Sequence, residues 1–440
     1  MGRKLTLDDC VRKTTTKDRN GHESEKVQLI PNLFGDWMIQ EYHICKISSV
    51  IHIYHEGLYS SDRNVIRGYM LRALPWISNS NRTEVFSYLQ DSLTVPVREQ
   101  APPNLIPFRS SIYNIENDAF LPYSADHVFL LRFPFDYKPD APVSELVDKT
   151  VNGIAVGDAD VINLIWEAFG NCFYLRNRYR GAVILYGPDG QNGKSTLLNL
   201  QIKAIGEENV SALSLQDISN SRFRLAELHG RVANVCDDNS AAYVTDSSNF
   251  KTVCTGGELT AERKGEHPFK FRPFAKIFLA LNELPRMNDQ TRALYSRLLI
   301  VPMLADFSKA ENRDVHLIER DWTQAEMEYV VRRSVEGLKR LIEQGDFTRP
   351  ESVRKQLAQF EIANDPVREF LADDPVCDGE KTDVAFARYK AWCSETGNKA
   401  LKKSNFSHRV CQLCGMETTT RYDRSLPKRQ SRVFVSKIQG

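Results

Sequence analysis

Apolar and polar positions along this chain change period several times, and each change marks an element. Near the start, apolar residues at 51–54 and 58–59 flank His55-Glu56-Gly57, which reads as a β-hairpin. Asp62 is placed to begin a helix with Val65, Ile66, Met70 and Leu74 on its apolar face, and Pro75 stops it. The helical period returns over 83–93. VPVREQAPPNLIPF, at 95–108, is a Pro-rich connector and a subdomain boundary. A second such stretch, DYKPDAP, precedes a helical segment from 143 to about 173.

The centre has a different pattern. Ala182–Tyr186 is a continuous apolar run that ends in a Gly-rich turn and a helix over 195–205. Further short apolar runs follow at 232–236, 277–281 and 298–303, with helical or loop segments between them. Strands apolar on both faces, alternating with helices, predict a parallel sheet covered on both sides. Residues 322–344 form an amphipathic helix with Met327, Val331, Leu338 and Ile342 inward and Gly345 as its stop. From about 365 the chain shows three helical patches and a polar, basic, β-like end at 418–435, the order of a winged helix.

Composition narrows the class. A length of 440 residues exceeds one ordinary domain, and 42% hydrophobic with 26% charged residues is the balance of a folded globular chain. Disordered, collagen-like and disulfide-scaffold classes are excluded. No apolar run approaches the ~18–20 residues that span a bilayer, and MGRKLTLDDC lacks the apolar stretch of a secretory signal. The nine cysteines, from Cys10 to Cys414, show no framework spacing and read as reduced thiols in a cytoplasmic setting. Cys411 and Cys414, with His408 and Cys393 upstream, lack the two well-spaced pairs of a zinc site. Net charge is +1 but unevenly spread: residues 396–440 hold ten Lys/Arg against two Asp/Glu, a net of +8, which leaves −7 for the rest. A basic C-terminal module on a mildly acidic body points to nucleic acid.

The chemistry-bearing residues sit at the ends of the apolar strands. GPDGQNGKST, 187–196, lies between strand and helix, the context a phosphate-binding loop requires. Its candidate binding residues are Gly187, Pro188, Asp189, Gly190, Gln191, Asn192, Gly193, Lys194, Ser195 and Thr196. Small residues let successive N–H groups point at phosphate oxygens, and the helix N-terminus adds its positive dipole end. Lys194 would reach the β- and γ-phosphates of ATP, and the Ser195 hydroxyl would hold Mg²⁺. Asp237 and Asp238 end the 232–236 strand; one can hold Mg²⁺ while its neighbour polarises the attacking water, and either order is open. Asn282 ends the next strand, where its amide could sense the γ-phosphate and orient water. Residues 261–264 and 269–271 bracket a hairpin-like tip carrying Lys264 and His267. Arg292 and Arg297 precede LLIVPM; an Arg there could reach a neighbouring subunit's nucleotide as an arginine finger.

In content, order and spacing these segments resemble the superfamily 3 helicases, closest to the helicase half of phage and plasmid primase-helicases and of the poxvirus-type primase-helicase. GPDGQNGKST resembles motif A, VANVCDD motif B, TGGELTAERK with PFKF the B-prime motif, FLALNELP motif C, and SRLLIVPM the arginine-finger strand. More weakly, NLIPFRSSIYNIENDAFLPY and LRFPFDYKP look like the family's helical domain before the ATPase. EGLKRLIEQGDFTRPESV and PVREFLADD look like the helical segment after it, and YKAWCSETG like a terminal winged helix, so the resemblance covers most of 45–435. It implies an AAA+-type ATPase ring, usually hexameric, that uses ATP and Mg²⁺ to move 3′→5′ on single-stranded DNA. It assigns Lys194 and Ser195 to phosphate and Mg²⁺, Asp237 and Asp238 to the motif B acids, Asn282 to the sensor and Arg297 to the trans finger. Lys264 and His267 fall where the pore hairpin meets DNA. The motif A loop is one residue longer than the simple pattern, and Asp-Asp stands where many relatives have Asp-Glu or Glu-Glu.

The expected fold class is α/β: an AAA+-type phosphate-loop ATPase core with a helical N-terminal region and a C-terminal winged-helix domain. The expected divisions are 1–100 (α+β), 101–180 (helical), 181–305 (ATPase core), 306–364 (helical lid or linker) and 365–440 (basic winged helix). In the last, Lys402, Lys403, Arg421, Arg424, Lys428, Arg429 and Arg432 are expected on DNA phosphates. The expected function is an ATP-dependent helicase for replication of a phage, plasmid or other mobile element. It would act in the host cytoplasm on single strands and forked duplexes, as a homo-oligomer, with a separate primase, since no primase-like acidic triad or zinc ribbon precedes the ATPase strand. A second reading is a phosphate-loop regulator or helicase loader that binds DNA without unwinding it. The hairpin stretch and motif C favour the first, because a regulator needs no DNA contact inside its ATPase core.

Overall fold

The computed structural model describes residues 4–17, 23–308, 317, 320–422 and 430–436, apart from Asp189, Glu266 and Lys399. Among the expected site residues, Asp189, Arg424, Lys428 and Arg429 lie outside the described residues, as does Glu266 at the hairpin tip.

An antiparallel ribbon, β1 (Val11–Lys17) and β2 (Glu23–Leu29), leads into α1 (Pro31–Glu41), β3 (Cys45–Ile47), β4 (Val50–His55), β5 (Leu58–Ser60), α2 (Arg63–Ala73) and α3 (Asn79–Asp91). β4 and β5 pair as the expected hairpin. Asp62 caps α2 by accepting the Asn64 N–H at 2.8 Å. α3 starts four residues ahead of its apolar period because Ser78 accepts the Asn81 N–H and fixes the first turn. Phe34, Met38, Ile66, Met70, Val85 and Leu89 close a core of their own. The N-terminal region is therefore mixed α and β rather than helical, a correction to the expected fold class.

The segment at 101–180 also departs from expectation. Its first part is a three-stranded antiparallel sheet, β6 (Leu105–Pro107), β7 (Ile112–Asn114) and β8 (Ala119–Leu121), and helix begins only at α4 (Glu145–Ile154). Pro102, Pro103 and Pro107 lack the N–H a helix needs and favour extended backbone. The helix expected over 143–173 is two helices, α4 and α5 (Ala159–Phe173). Val156 and Gly157 break it with φ of 52° and 72°, and the Asp158 carboxylate caps α5 by accepting from the Asp160 and Val161 N–H groups.

The central layer runs β9 (Ala182–Tyr186), α6 (Lys194–Ile205), β10 (Val210–Ser211), α7 (Leu215–Asn220), α8 (Arg222–Leu225), β11 (Ala233–Cys236), α9 (Ser248–Thr255), β12 (Leu259–Ala261), β13 (Phe269–Phe271), β14 (Lys276–Leu281), α10 (Arg292–Tyr295) and β15 (Leu298–Pro302). Five strands form one parallel sheet in the order β10-β11-β14-β9-β15, and β12 and β13 form a separate antiparallel hairpin. One face of the sheet is covered by α5, α6 and the long α11 (Gln324–Gln344) through Trp166, Phe173, Leu200, Val331 and Leu338. The other is covered by α7 to α9 through Ile218, Leu225, Phe250 and Val253. Burial on both faces is why these strands read as unbroken apolar runs. α5 and α11 meet backbone to backbone: a Cβ at Gly170 would stand 2.1 Å from the Ser334 carbonyl, and one at Gly337 2.3 Å from that of Trp166.

After α12 (Glu351–Ala363) come α13 (Pro366–Asp373), α14 (Thr382–Thr396), α15 (Lys403–Cys414) and the antiparallel pair β16 (Met416–Tyr422) and β17 (Gln430–Ser436). Phe370, Tyr389, Cys393, Phe406, Val410 and Phe434 make this unit's core. Of two adjacent buried residues at its start, Asn364 ties it to the central layer and Asp365 binds its own helices together. The Asn364 carboxamide accepts the Met287 N–H at 2.6 Å and donates to the Tyr295 hydroxyl at 3.0 Å. Asp365 caps α13 and pairs with Arg409 of α15 at 2.7 Å. Among the described residues no helix is long and apolar enough to cross a membrane.

Candidate active site

Because the central strands are parallel, their C-terminal ends lie along one edge, and the chemistry-bearing residues follow those ends. The 187–193 loop leaves β9 there. Gln191 and Gly193 both take left-handed backbone, φ 64° and 85°, alternating with right-handed residues in the way that favours an anion-binding turn. The turn is tight: a Cβ on Gly187 would stand 2.2 Å from Asn192 Nδ2, and one on Gly193 2.6 Å from Ile154 Cγ1. Gly193 is the N-cap of α6, so the loop opens onto a twelve-residue helix whose dipole favours an anion. Lys194 is only 8% exposed, and its ammonium donates to the Gly187 carbonyl at 2.9 Å, across the mouth of the loop. Ser195 is half-buried beside it, Thr196 is buried, and Pro188 and Gly190 are exposed. The segment after β15 flanks the loop, with the Phe307 N–H donating to the Gln191 carbonyl at 3.0 Å.

Sheet register brings the other candidates to the same edge. The Gly187 N–H donates to the Leu281 carbonyl at 3.1 Å, so Asn282, the next residue, sits beside the loop. Cys236 is paired with Leu279 on the far side of β14, which sets Asp237 and Asp238 level with the last turns of that strand. All three are exposed to solvent at the edge. Asn239, which the sequence reading passed over, fixes this corner: its Nδ2 donates to the Cys236 and Ala280 carbonyls at 2.9 and 3.2 Å, and its Oδ1 accepts the Leu215 N–H at 3.1 Å. An amide directly after the acid pair was the only signal. Burial pushes the Cys236 thiol up, so it stays neutral next to the carboxylates. A tight Gly-rich loop on a helix N-terminus, a buried lysine at its mouth, a hydroxyl and two carboxylates are a donor set suited to a nucleoside triphosphate with Mg²⁺.

Two groups of candidates lie elsewhere. Arg297 precedes β15, whose Leu298 pairs with Ala182, and its carbonyl accepts the Ala182 N–H at 2.7 Å. It is therefore about 20 Å from its own phosphate loop, six residues of strand away. Its guanidinium donates to the Ala293 carbonyl. The β12–β13 hairpin also stands at this N-terminal edge, since β13 leads directly into the start of β14. Lys264 and His267 are exposed at its tip. Arg263 lies over the Phe269 ring at 4.6 Å, and His229 packs edge-on against Phe269 and Phe271. Burial, reinforced by Arg263, lowers the His229 pKa and keeps that ring neutral.

The C-terminal cations are less unified than expected. Lys402 is exposed just ahead of α15, and Lys403 is bridged to Asp383. Arg421 pairs in register with Ser431 and Arg432 with Thr420, so the two arginines project from opposite faces of the β16–β17 ribbon. Arg432 is also held by the Thr418 hydroxyl at 3.0 Å. These two do not line a single phosphate track.

Comparison with known proteins adds three findings. Residues 37–155 match the family model described as D5 N terminal like, and residues 185–297 match a family of unknown function (DUF5906). The chain is similar to a protein of Acanthamoeba polyphaga mimivirus named "Putative helicase L207/L206", with 25% identity over 214 residues, 47% of this chain and 22% of that protein. It thus spans about a fifth of that relative's length. Among solved structures, the apo C-terminal region (305–718) of NrS-1 shares the fold at a TM-score of 0.50 and 14% identity, covering 92% of this chain and 99% of that one. A second form of the same region covers 90% and 96% at 16% identity and a TM-score of 0.48.

Proposed function

We propose that this chain is a ring-forming DNA helicase driven by ATP hydrolysis, of the superfamily 3, AAA+ type, moving 3′→5′ on a single strand during replication of a phage, plasmid or other mobile element. The observation that carries the reading is a division of labour across one sheet. Its C-terminal edge gathers the Lys194 loop, Asp237, Asp238 and Asn282, while Arg297 and the Lys264–His267 hairpin stand at the opposite edge. The similarity to a viral protein named as a helicase supports the same direction.

In this reading the curled loop and the N-terminus of α6 hold the phosphates, and Lys194 stabilises the charge that builds on them. Ser195 and one of Asp237 and Asp238 hold Mg²⁺; when bound, the ion neutralises phosphate charge. The other Asp accepts a proton from the attacking water, and Asn282 orients that water. Arg297, out of reach of its own loop, serves the next subunit's site. The hairpin cations grip backbone phosphates in the channel. The 365–436 unit is a winged helix that binds DNA, and a separate primase supplies primers.

The competing reading is a loader or regulator with the same ATPase and no unwinding. A strand-displacement assay on a forked duplex separates them, run on wild type and on the Lys264→Ala, His267→Ala double variant. The helicase reading expects ATP-dependent unwinding by wild type. In the double variant it expects lost unwinding and lost stimulation by single-stranded DNA, with basal ATP hydrolysis and assembly retained. Unwinding unaffected by the double change rules out the hairpin's role, and absence of unwinding by wild type leaves the loader or regulator.

A further inference from the structure

The segments that follow the acid-bearing and amide-bearing strands meet again away from the phosphate loop. Residues 282–291 connect β14 to α10 and begin at Asn282. Residues 237–247 leave β11 with Asp237 and Asp238 and lead to α9. The two run side by side at Val244 and Met287. The Val244 N–H donates to the Arg286 carbonyl at 3.0 Å, and the Asn288 N–H donates to the Val244 carbonyl at 2.9 Å. The Met287 N–H, which neither bond uses, donates instead to Asn364 Oδ1 at 2.6 Å.

Asn364 holds the 282–291 loop and the helix after it at three points. Besides Met287, its Nδ2 donates to the Tyr295 hydroxyl at 3.0 Å, and its carbonyl accepts from the Gln290 amide at 2.9 Å. At 3% exposure these bonds face little competition from water. A carboxamide supplies the acceptor and the donor together, which an apolar side chain of the same size does not. The next residue, Asp365, is fully buried, caps α13 and pairs with Arg409 of α15. One peptide bond therefore separates the grip on the loop from the root of the C-terminal unit. Arg286 adds an outer tie, 4.0 Å from Glu369 of α13. Between these ties the seam is not filled: a cavity of about 160 Å³ lies between the loop and Pro366, Asn398 and Leu401. A joint made of a few directed hydrogen bonds beside open space can shift, whereas a close-packed apolar seam resists displacement.

We propose that Asn364 is a positioning residue that couples the nucleotide site to the C-terminal unit. Arrival or loss of the γ-phosphate at Asn282 displaces the 282–291 loop, and Asn364 passes that displacement to α13 and α15. The coupling is reciprocal, so whatever the C-terminal unit binds biases the setting of Asn282. This rests on the reading of the Lys194 loop as a nucleoside triphosphate site, and adds a route from that site to a distant unit.

Hydrogen exchange of the full chain, with and without the imido analogue of ATP and Mg²⁺, tests the coupling. In wild type the analogue should slow exchange over 187–205 and change it about fivefold or more in α13 and α15. In Asn364→Ala the response at 187–205 stays, and the response in α13 and α15 is lost. ATP turnover by this variant should fall about threefold or more with KM unchanged, because the Lys194 loop still binds while Asn282 is loosely set. Gln290→Ala leaves the buried carboxamide in place and should lose part of the same response; it carries the comparison should Asn364→Ala fail to fold. Slowed exchange at 187–205 with no response in α13 and α15 of wild type overturns the inference and leaves the nucleotide reading standing. A response in α13 and α15 equal to wild type in the variants also overturns it. No slowing at 187–205 in wild type overturns the nucleotide reading and the inference with it.

Discussion

Lys194 and Asp289 show how single side chains report on this site. A lysine gives up most of its hydration only where fixed acceptors replace water, and Lys194 does so at 8% exposure with the Gly187 carbonyl 2.9 Å away. The Lys194→Ala variant should keep its fold and lose more than about tenfold in ATP turnover; a smaller loss argues against a phosphate-binding role. Asp289 lies on the loop beyond Asn282. Burial works against its charge, but hydrogen bonds from Lys251, Ser247 and Thr291 outweigh that and hold its carboxyl well below the usual carboxylate range. A folded-state pKa below the unfolded one means stability that is present above about pH 4 and is lost as pH falls further. Asp289→Asn should therefore cost about 1–3 kcal/mol at neutral pH, and its melting temperature should fall less steeply than wild type below pH 4. Parallel melting curves across that range would remove the assignment.

At the scale of elements, caps and breaks decide more than apolar period does. Asp62, Ser78, Asp158 and Thr323 each end a non-helical stretch by accepting N–H groups of the next helix. Asp62 was legible because a cap acts within three residues of itself, whereas the Ser78 and Asp158 caps lie where apolar period alone set the expected helix bounds. Asp365 does the same for α13 but adds a partner 44 residues away, Arg409 at 2.7–2.8 Å, and both its carboxylate and its surroundings are buried. Removing one partner of a buried pair typically costs about 3–5 kcal/mol. Asp365→Ala should accordingly loosen the C-terminal unit. The expected readout is faster proteolytic cleavage after residue 365, with basal ATP hydrolysis little changed. Equal protection in variant and wild type would show that the unit is held by other contacts.

For the whole molecule, the sheet's polarity makes the strongest claim. Parallel strands put Arg297 at one edge and the Lys194 loop at the other, so in the proposed reading Arg297 serves a nucleotide held by another copy of the chain. Mixing Arg297→Ala with Lys194→Ala subunits should restore part of the ATPase activity that each lacks alone, because some interfaces then pair an intact loop with an intact finger. Activity in the mixture no greater than the sum of the two variants, or full activity of Arg297→Ala alone, contradicts the trans role.

The sequence by itself determined what depends on neighbours a few residues apart: apolar runs for buried strands, the Gly-rich turn with its lysine, the Asp62 cap, and the acids and amide that end successive strands. Only the tertiary structure decided the order β10-β11-β14-β9-β15 and hence which strand ends adjoin. It also decided that 105–121 forms a sheet, that Asn239 braces the corner of the site, and that Arg421 and Arg432 face opposite ways. Lys276 is the clearest case. It reads as a cation ahead of an apolar run, yet burial pushes it down to about 7, and it donates to the Tyr174, Arg176 and Phe274 carbonyls and to Asn177. Three of those four partners lie about a hundred residues earlier. A local pattern records which groups prefer water and which do not. Whether a polar group finds acceptors inside depends on which distant backbone the fold brings alongside it, and only the assembled sheet sets that.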